Sequence, residues 1–89
     1  MRAIVTVIGK DQVGIIAAVC TLLAEQNVNV LDISQTILQE YFTMIMLVDT
    51  EKARLPFADL AALLESEGKK RGLSILAQRE DIFNTMHRI

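Results

Sequence analysis

The chain has 89 residues, of which 52% are hydrophobic, 22% charged and 4% aromatic, and its formal net charge is −2. A chain of this length forms one domain and is too short to enclose a deep active site. Its slightly acidic balance supplies no basic field for nucleic acid. The sequence contains no membrane-spanning run, no signal-peptide pattern and one cysteine, so it can form no internal disulfide. We therefore predict a cytoplasmic protein with no nucleic-acid partner and no membrane partner.

The first half of the chain changes from a strand pattern to a helix pattern and back. Residues 3–8 are apolar and mostly β-branched, which predicts a strand ending at Gly9. From Gly14 the apolar residues recur with a helical period, at Ile16, Val19, Cys20 and Leu23, flanked by Ile15 and Leu22. Asn27, which tolerates positive φ, is predicted to end this helix. Residues 28–38 then carry the polar interruptions typical of an edge strand.

The second half repeats this order. Residues 41–49 are apolar at successive positions, which favours a central strand. Pro56 suits the first position of a second helix, on which the 3.6-residue period continues at Phe57, Leu60, Ala61 and Leu64. Gly72 is predicted to follow the end of this helix in the left-handed conformation, and residues 73–79 form a last, more polar strand.

The predicted order βαββαβ, with right-handed crossovers, gives an α+β ferredoxin-like sandwich. Its antiparallel four-stranded sheet has the order 4-1-3-2, and both helices cover one face. The other face would expose either Ile4 and Ile8 or Val5 and Val7, together with alternate residues of 44–47. We expect a homodimer or another partner to cover it.

The chain ends in an apolar segment. We place the domain at residues 1–80 and an amphipathic tail at 81–89, where Asp81 is a predicted helix cap. The helical stripe comprises Ile82, Phe83, Met86 and Ile89. Because an isolated helix of this length is marginal in water, we expect the tail to dock on the uncovered sheet or on the sister subunit.

The sequence lacks the residue sets of common catalytic and metal sites. His87 is the one histidine and Cys20 the one cysteine, so a hydrolytic triad and a closed zinc site are both excluded within one chain. Other proteins of this topology carry aromatics in their two central strands for RNA, a Cys-x-x-Cys pair for copper or a first-loop arginine for phosphate. In this chain residues 3–8 and 43–48 contain no aromatic residue, and the first loop contains neither a Cys-x-x-Cys pair nor an arginine. We predict no enzyme, no cofactor and no metal.

The loop before the first helix offers backbone groups instead. Gly14, Ile15 and Ile16 open the helix, where unpaired N–H groups favour a carboxylate. The Asp11 carboxylate is able to accept a hydrogen bond from an ammonium group. The loop therefore matches both charged ends of an α-amino acid, the carboxylate at the helix N–H groups and the ammonium group at Asp11. Two structural interpretations stay open, in which Asp11 caps the helix or fixes the loop and Gly14 allows close helix-to-strand packing.

The segments 9–16 (GKDQVGII) and 22–30 (LLAEQNVNV) resemble the opening half of an ACT domain, and the similarity spans nearly the whole chain. The segments 32–37 (DISQTI), 42–46 (FTMIM) and 82–89 are most similar to the small stand-alone bacterial and archaeal proteins of the UPF0237 family. The ACT domains of the glycine-cleavage repressor are similar too. The resemblance implies allosteric, amino-acid-responsive regulation by paired domains, with ligands between the first loop of one subunit and the second strand of its mate.

The resemblance also implies a set of ligand-binding residues, namely Asp11, Gln12, Val13, Gly14 and Ile15, with Asn29 reaching the ligand across the interface. Asp11 stands where serine-sensing relatives often have asparagine, and its charge would favour an ammonium group but repel a carboxylate. Asn29 serves equally well as a turn residue at the start of a strand.

The function implied is that of a non-enzymatic, homodimeric regulator that binds a small metabolite such as an amino acid. A sensor without a fused output domain acts in trans on a metabolic enzyme. The alternative is a scaffold module that binds a partner protein and no ligand. An enzyme remains a third interpretation only if Lys10, Asp11 and Asn29 converge on a substrate in an oligomer.

Overall fold

The computed structural model of the protein describes residues 1–10 and 12–86, so the predictions for Asp11 and for His87 to Ile89 lie outside the described residues. In chain order the elements are β1 (Arg2–Lys10), α1 (Ile15–Glu25), β2 (Asn29–Leu38), β3 (Tyr41–Asp49), α2 (Phe57–Lys70), β4 (Ser74–Arg79) and α3 (Glu80–Met86). The predicted βαββαβ order with a short helical tail is confirmed.

The four strands form one antiparallel sheet in the order β2-β3-β1-β4, which is the predicted order counted from the other edge. In the middle of the sheet, Thr6 of β1 lies opposite Ile45 of β3 on one side and Leu76 of β4 on the other. The continuously apolar strands β1 and β3 are central, and the more polar β2 and β4 are the edges. Strand polarity therefore predicted strand position correctly.

The core lies between the two long helices and one face of the sheet. Val5 and Val7 of β1 and Met44 and Met46 of β3 are buried there, each at most 1% exposed. Because neighbouring side chains of a strand point to opposite faces, Ile45 lies on the other face, where it is 41% exposed. The structure thus decides the alternative left open by the sequence in favour of an uncovered face that carries Ile4 and Ile8.

Helix α1 buries a stripe slightly different from the predicted one. Its buried residues are Ile15, Val19, Leu22 and Leu23. The prediction for Ile16 is wrong, because this side chain is 39% exposed, and Cys20 is half-buried against the core. Two overlapping helical stripes run through this apolar segment, and the contact with the sheet selects the one that begins at Ile15.

The ends of the helices follow local backbone chemistry. Asn27 has φ 59° after α1 and Gly72 has φ 73° after α2, as predicted for residues that follow a helix end. The N-terminus of α2 differs by one residue, since Pro56 is the N-cap and Phe57 the first helical residue. The extended ψ of Pro56, 152°, keeps it outside the helix.

The tail helix α3 begins at Glu80, so Asp81 lies in its first turn and is not the predicted cap. Arg2 donates two hydrogen bonds to the Glu80 carboxylate, one from Nε to Oε1 at 3.0 Å and one from a terminal guanidinium nitrogen to Oε2. The hydrogen bond and the charge of Glu80 raise the pKa of Arg2. Helix α3 contacts β1 and β4, while Ile82 is 46% exposed. Docking of the whole tail stays a prediction.

Candidate functional site

The N-terminus of α1 is the first component of the candidate site. Gly14 occupies the N-cap position with φ 87°, a conformation that glycine adopts without strain. Its carbonyl accepts the first helical hydrogen bond, from the N–H of Ala18 at 2.9 Å. Among the described residues, no side chain caps this end and no acid lies in the first turn. The first-turn N–H groups and the positive end of the helix dipole therefore favour an anion here.

The other predicted loop residues differ in their surroundings. Gln12 donates a hydrogen bond from Nε2 to the backbone carbonyl of Arg71, at 3.2 Å, which ties the loop to the α2–β4 connection. Val13 is fully exposed at the tip of the loop, whereas Ile15 is buried in the core. Gln12, Val13 and Gly14 are thus accessible to a ligand, and Ile15 contributes mainly its backbone N–H. Asp11, the predicted ammonium acceptor, lies outside the described residues.

A cavity of about 220 Å³ opens beside this helix end, towards the β2 edge of the sheet. Its lining consists of Gln12, Gly14, Ile15, Ile16, Ala17, Gln35, Ile37 and Phe42. A smaller recess of about 60 Å³ lies between the loop and the α2–β4 connection, where Arg71 and Leu73 contribute. Pockets for drug-sized ligands start at about 300 Å³, so the larger cavity suits a small metabolite or one half of a shared site.

Sequence reasoning missed four residues that surround the loop. Gln35 and Ile37 come from the end of β2, Phe42 from the start of β3, and Arg71 from the end of α2. The predicted sheet order could have found the first three, because it places the β2–β3 hairpin at the end of the sheet where β1 leads into the loop. For Arg71 the sequence carried no such signal, since the distance between Arg71 and the β1–α1 loop depends on how α2 packs against the sheet.

Asn29 lies at the opposite end of the sheet from the loop. It is paired with Asp49, whereas the loop follows Lys10, which is paired with Tyr41 at the other end of the same strand. An open groove of about 550 Å³ surrounds Asn29, with Asp49, Glu51 and Lys52 in its lining. The structure does not bring Asn29 to the loop within one chain, so only a second chain is able to combine them. Lys10 and Asn29 likewise do not converge in one chain.

Other kinds of site are not visible in residues 1–10 and 12–86. These residues contain no group of three His, Cys, Asp or Glu side chains placed to hold a metal ion. None of their buried side-chain nitrogen or oxygen atoms lacks a hydrogen-bond partner. Of the helices they form, none has the length and hydrophobicity needed to cross a bilayer.

The sequence and the fold both match known proteins. The sequence model of the ACT domain family matches residues 2–78. The UPF0237 protein of Clostridium acetobutylicum is 57% identical over 89 residues, which is the full length of both chains. An ACT domain protein from Streptococcus pneumoniae has a similar structure, with a TM-score of 0.83 and 42% identity over 93% of each chain.

A more distant structural neighbour extends the comparison. A protein assigned as a glycine cleavage system transcriptional repressor superposes with a TM-score of 0.74 and 20% identity, over 86% of this chain and 44% of that one. At this identity the likeness concerns the fold. Together with the family match and the full-length relative, it agrees with the resemblance seen in the sequence. The chain belongs to the ACT domain family and, along its whole length, to the UPF0237 proteins.

Proposed function

We propose that this protein is a non-enzymatic, cytoplasmic regulator that binds a small metabolite, such as an amino acid, at the interface of a homodimer. ACT domains are typically regulatory domains that bind small molecules, and this chain is an ACT domain over residues 2–78. The observation that carries the proposal is the uncapped N-terminus of α1 at Gly14, next to a cavity that opens at a free sheet edge. The regulated target is a metabolic enzyme bound in trans.

The surroundings of the helix end suit a ligand with one charged end and one apolar part. First-turn N–H groups and the helix dipole attract a carboxylate, while Ile16, Ile37 and Phe42 provide an apolar wall. The Gln12 and Gln35 amides are able to form neutral hydrogen bonds. The ammonium group of the ligand would donate hydrogen bonds to the carboxylate of Asp11, as the sequence predicts, and to the side-chain oxygen of Asn29 of the partner subunit.

Titration calorimetry against the twenty amino acids tests this function. We expect heat of binding from at least one of them, with Asp11→Ala raising its Kd by about 10-fold to 100-fold, because a hydrogen bond to a charged group contributes about 1.5 to 3 kcal/mol. Asp59→Ala is the matched control, since Asp59 is an exposed acid in the first turn of α2, and its Kd should equal that of the wild type.

No heat from any amino acid, together with identical behaviour of Asp11→Ala and the wild type, would contradict the proposal. The scaffold interpretation predicts a different result. In that case one metabolic enzyme co-purifies with the protein to the same extent whether or not metabolites are added. A regulator instead requires that a ligand change the affinity for its target, because coupling cannot exceed the difference in ligand affinity between two states.

A further inference from the structure

The walls of the 220 Å³ cavity beside α1 are largely apolar. Ile16 of α1, Ile37 of β2 and Phe42 of β3 all line it. Ile37 lies directly opposite Phe42 in the sheet, so both side chains are on the face that the helices cover. Phe42 is 3% exposed, whereas Ile16 and Ile37 are 39% and 56% exposed. Two large aliphatic side chains are thus accessible at one cavity, and an apolar ligand would remove their surface from water.

The polar side chains of the cavity are neutral. Gln12 and Gln35 contribute amide groups, and among the described residues that line the cavity none carries a charge. The proposed function already assigns the Asp11 carboxylate to the ammonium group of the ligand. A charged ligand side chain would lose its hydration in this cavity without gaining an opposite charge, which is unfavourable. The cavity therefore selects against acidic and basic amino acids.

The volume of the cavity limits the size of the ligand. An apolar cavity of about 150 Å³ binds benzene, which corresponds to about 25 Å³ for each non-hydrogen atom. A cavity of about 220 Å³ thus has room for about nine such atoms. Leucine and isoleucine have this size and valine is slightly smaller. Glycine would leave much of the cavity empty, and tryptophan would exceed it.

The two other recesses near the predicted site residues are less suitable for such a side chain. The recess between the loop and the α2–β4 connection measures about 60 Å³, which is room for about two non-hydrogen atoms. The groove at Asn29 is larger, but Asp49, Glu51 and Lys52 in its lining are charged. An aliphatic side chain therefore fits best between α1 and the β2 edge.

We infer that this cavity holds the side chain of a neutral aliphatic amino acid, namely valine, leucine or isoleucine. The inference rests on the proposed function and names the class of its ligand. The ligand carboxylate then lies at the first-turn N–H groups of α1, and its side chain lies between Ile16 and Ile37. These two residues determine specificity by contact, without forming a hydrogen bond to the ligand.

Titration calorimetry with a series of amino acids tests the ligand class. Each buried methylene group strengthens binding about fourfold, so L-isoleucine should bind about 60-fold more tightly than L-alanine, with L-valine between them. L-Threonine has the shape of L-valine but carries a hydroxyl in place of one methyl group. We expect it to bind about tenfold or more weakly than L-valine. L-Glutamate and L-lysine should give no heat at concentrations that saturate the protein with L-isoleucine.

Filling the cavity tests where the ligand side chain lies. Ala17 also lines the cavity, and leucine is a good helix former, so Ala17→Leu should reduce the space without unfolding α1. We expect this variant to raise the Kd for L-isoleucine by about 30-fold or more and the Kd for L-alanine by less than about threefold. Ala62→Leu is the matched control, because Ala62 is an exposed alanine of α2 away from this cavity. Its Kd for L-isoleucine should stay within about twofold of the wild type. Circular dichroism checks that both variants are folded.

Three results would overturn this inference while an amino acid still binds, and they would leave the proposed function standing. The first is tightest binding of serine, glutamate or lysine. The second is binding of L-isoleucine no tighter than that of L-alanine. The third is an equal loss of affinity for L-isoleucine and L-alanine in Ala17→Leu. Silence from all twenty amino acids would overturn the inference together with the proposed function, so the two failures are distinguishable.

Discussion

Replacing Leu64 with alanine is expected to lower the free energy of unfolding by about 2 to 5 kcal/mol. Leu64 is 0% exposed and lies at the centre of the face that α2 turns to the sheet, between Leu60 and Gly68. Removing its three outer carbon atoms takes away buried apolar contacts and leaves a cavity that the surrounding side chains only partly fill. Urea denaturation followed by circular dichroism measures the change, with all variants at one protein concentration because a dimer is stabilised by mass action.

Leu31→Ala is the control for this measurement. Leu31 is 45% exposed and lies at the irregular position of β2, so the same change in composition should cost less than about 1 kcal/mol. Equal losses for Leu64→Ala and Leu31→Ala would show that the core is not located between α2 and the sheet. The slope of the free energy against urea should stay unchanged in both variants, because the surface exposed on unfolding is nearly the same.

Gly68→Ala is expected to destabilise the protein by about 1 to 3 kcal/mol. A Cβ at this position would lie 2.8 Å from Cγ1 of Ile75 and 3.0 Å from the backbone oxygen of Leu73. Ile75 is 3% exposed and has little room to move, and the Leu73 oxygen belongs to the backbone immediately before β4. The sign of the change in the free energy of unfolding is informative, because at an exposed position of a helix the same substitution stabilises a protein by about 1 kcal/mol.

Ser66→Ala provides the matched control in the same helix. Ser66 is exposed, so the substitution changes helix propensity without meeting a neighbour and should alter stability by less than about 0.5 kcal/mol. If Gly68→Ala proved more stable than the wild type, the close contact between α2 and β4 described above would be incorrect. The midpoints of thermal unfolding of both variants give an independent ranking of their stabilities.

Local patterns predicted most of the elements because their causes are local. The helical period and the turn residues Asn27 and Gly72 depend on backbone geometry within a few residues, and both residues have the positive φ expected. The exposed side of α1 was less predictable, since Ile15 and Ile16 are equally apolar and the contact with the sheet selects between them. The burial of Gly68 was also missed, because glycine contributes nothing to a hydrophobic pattern.

The candidate site was predictable to a smaller extent. The resemblance and the loop chemistry identified Gln12, Val13 and Gly14, which the structure places at the accessible end of α1. The structure alone shows that Arg71 is part of the surroundings of the loop, because the α2–β4 connection packs against it. Asn29 lies at the far end of the sheet in the folded chain. The proposed site draws on two subunits, so the structure of one chain contains only one of its two halves.

The sequence by itself determined the family through its resemblance to known members. It also determined the order of the elements and of the strands, because strand polarity, helical period and turn residues are encoded by neighbours along the chain. The tertiary structure decided which of two alternating sets, Ile4 and Ile8 or Val5 and Val7, faces away from the helices. That choice depends on a register of one residue, which reverses the direction of every side chain in a strand. The register is set by contacts between strands and helices distant in sequence, and it determines which surface remains for a second molecule.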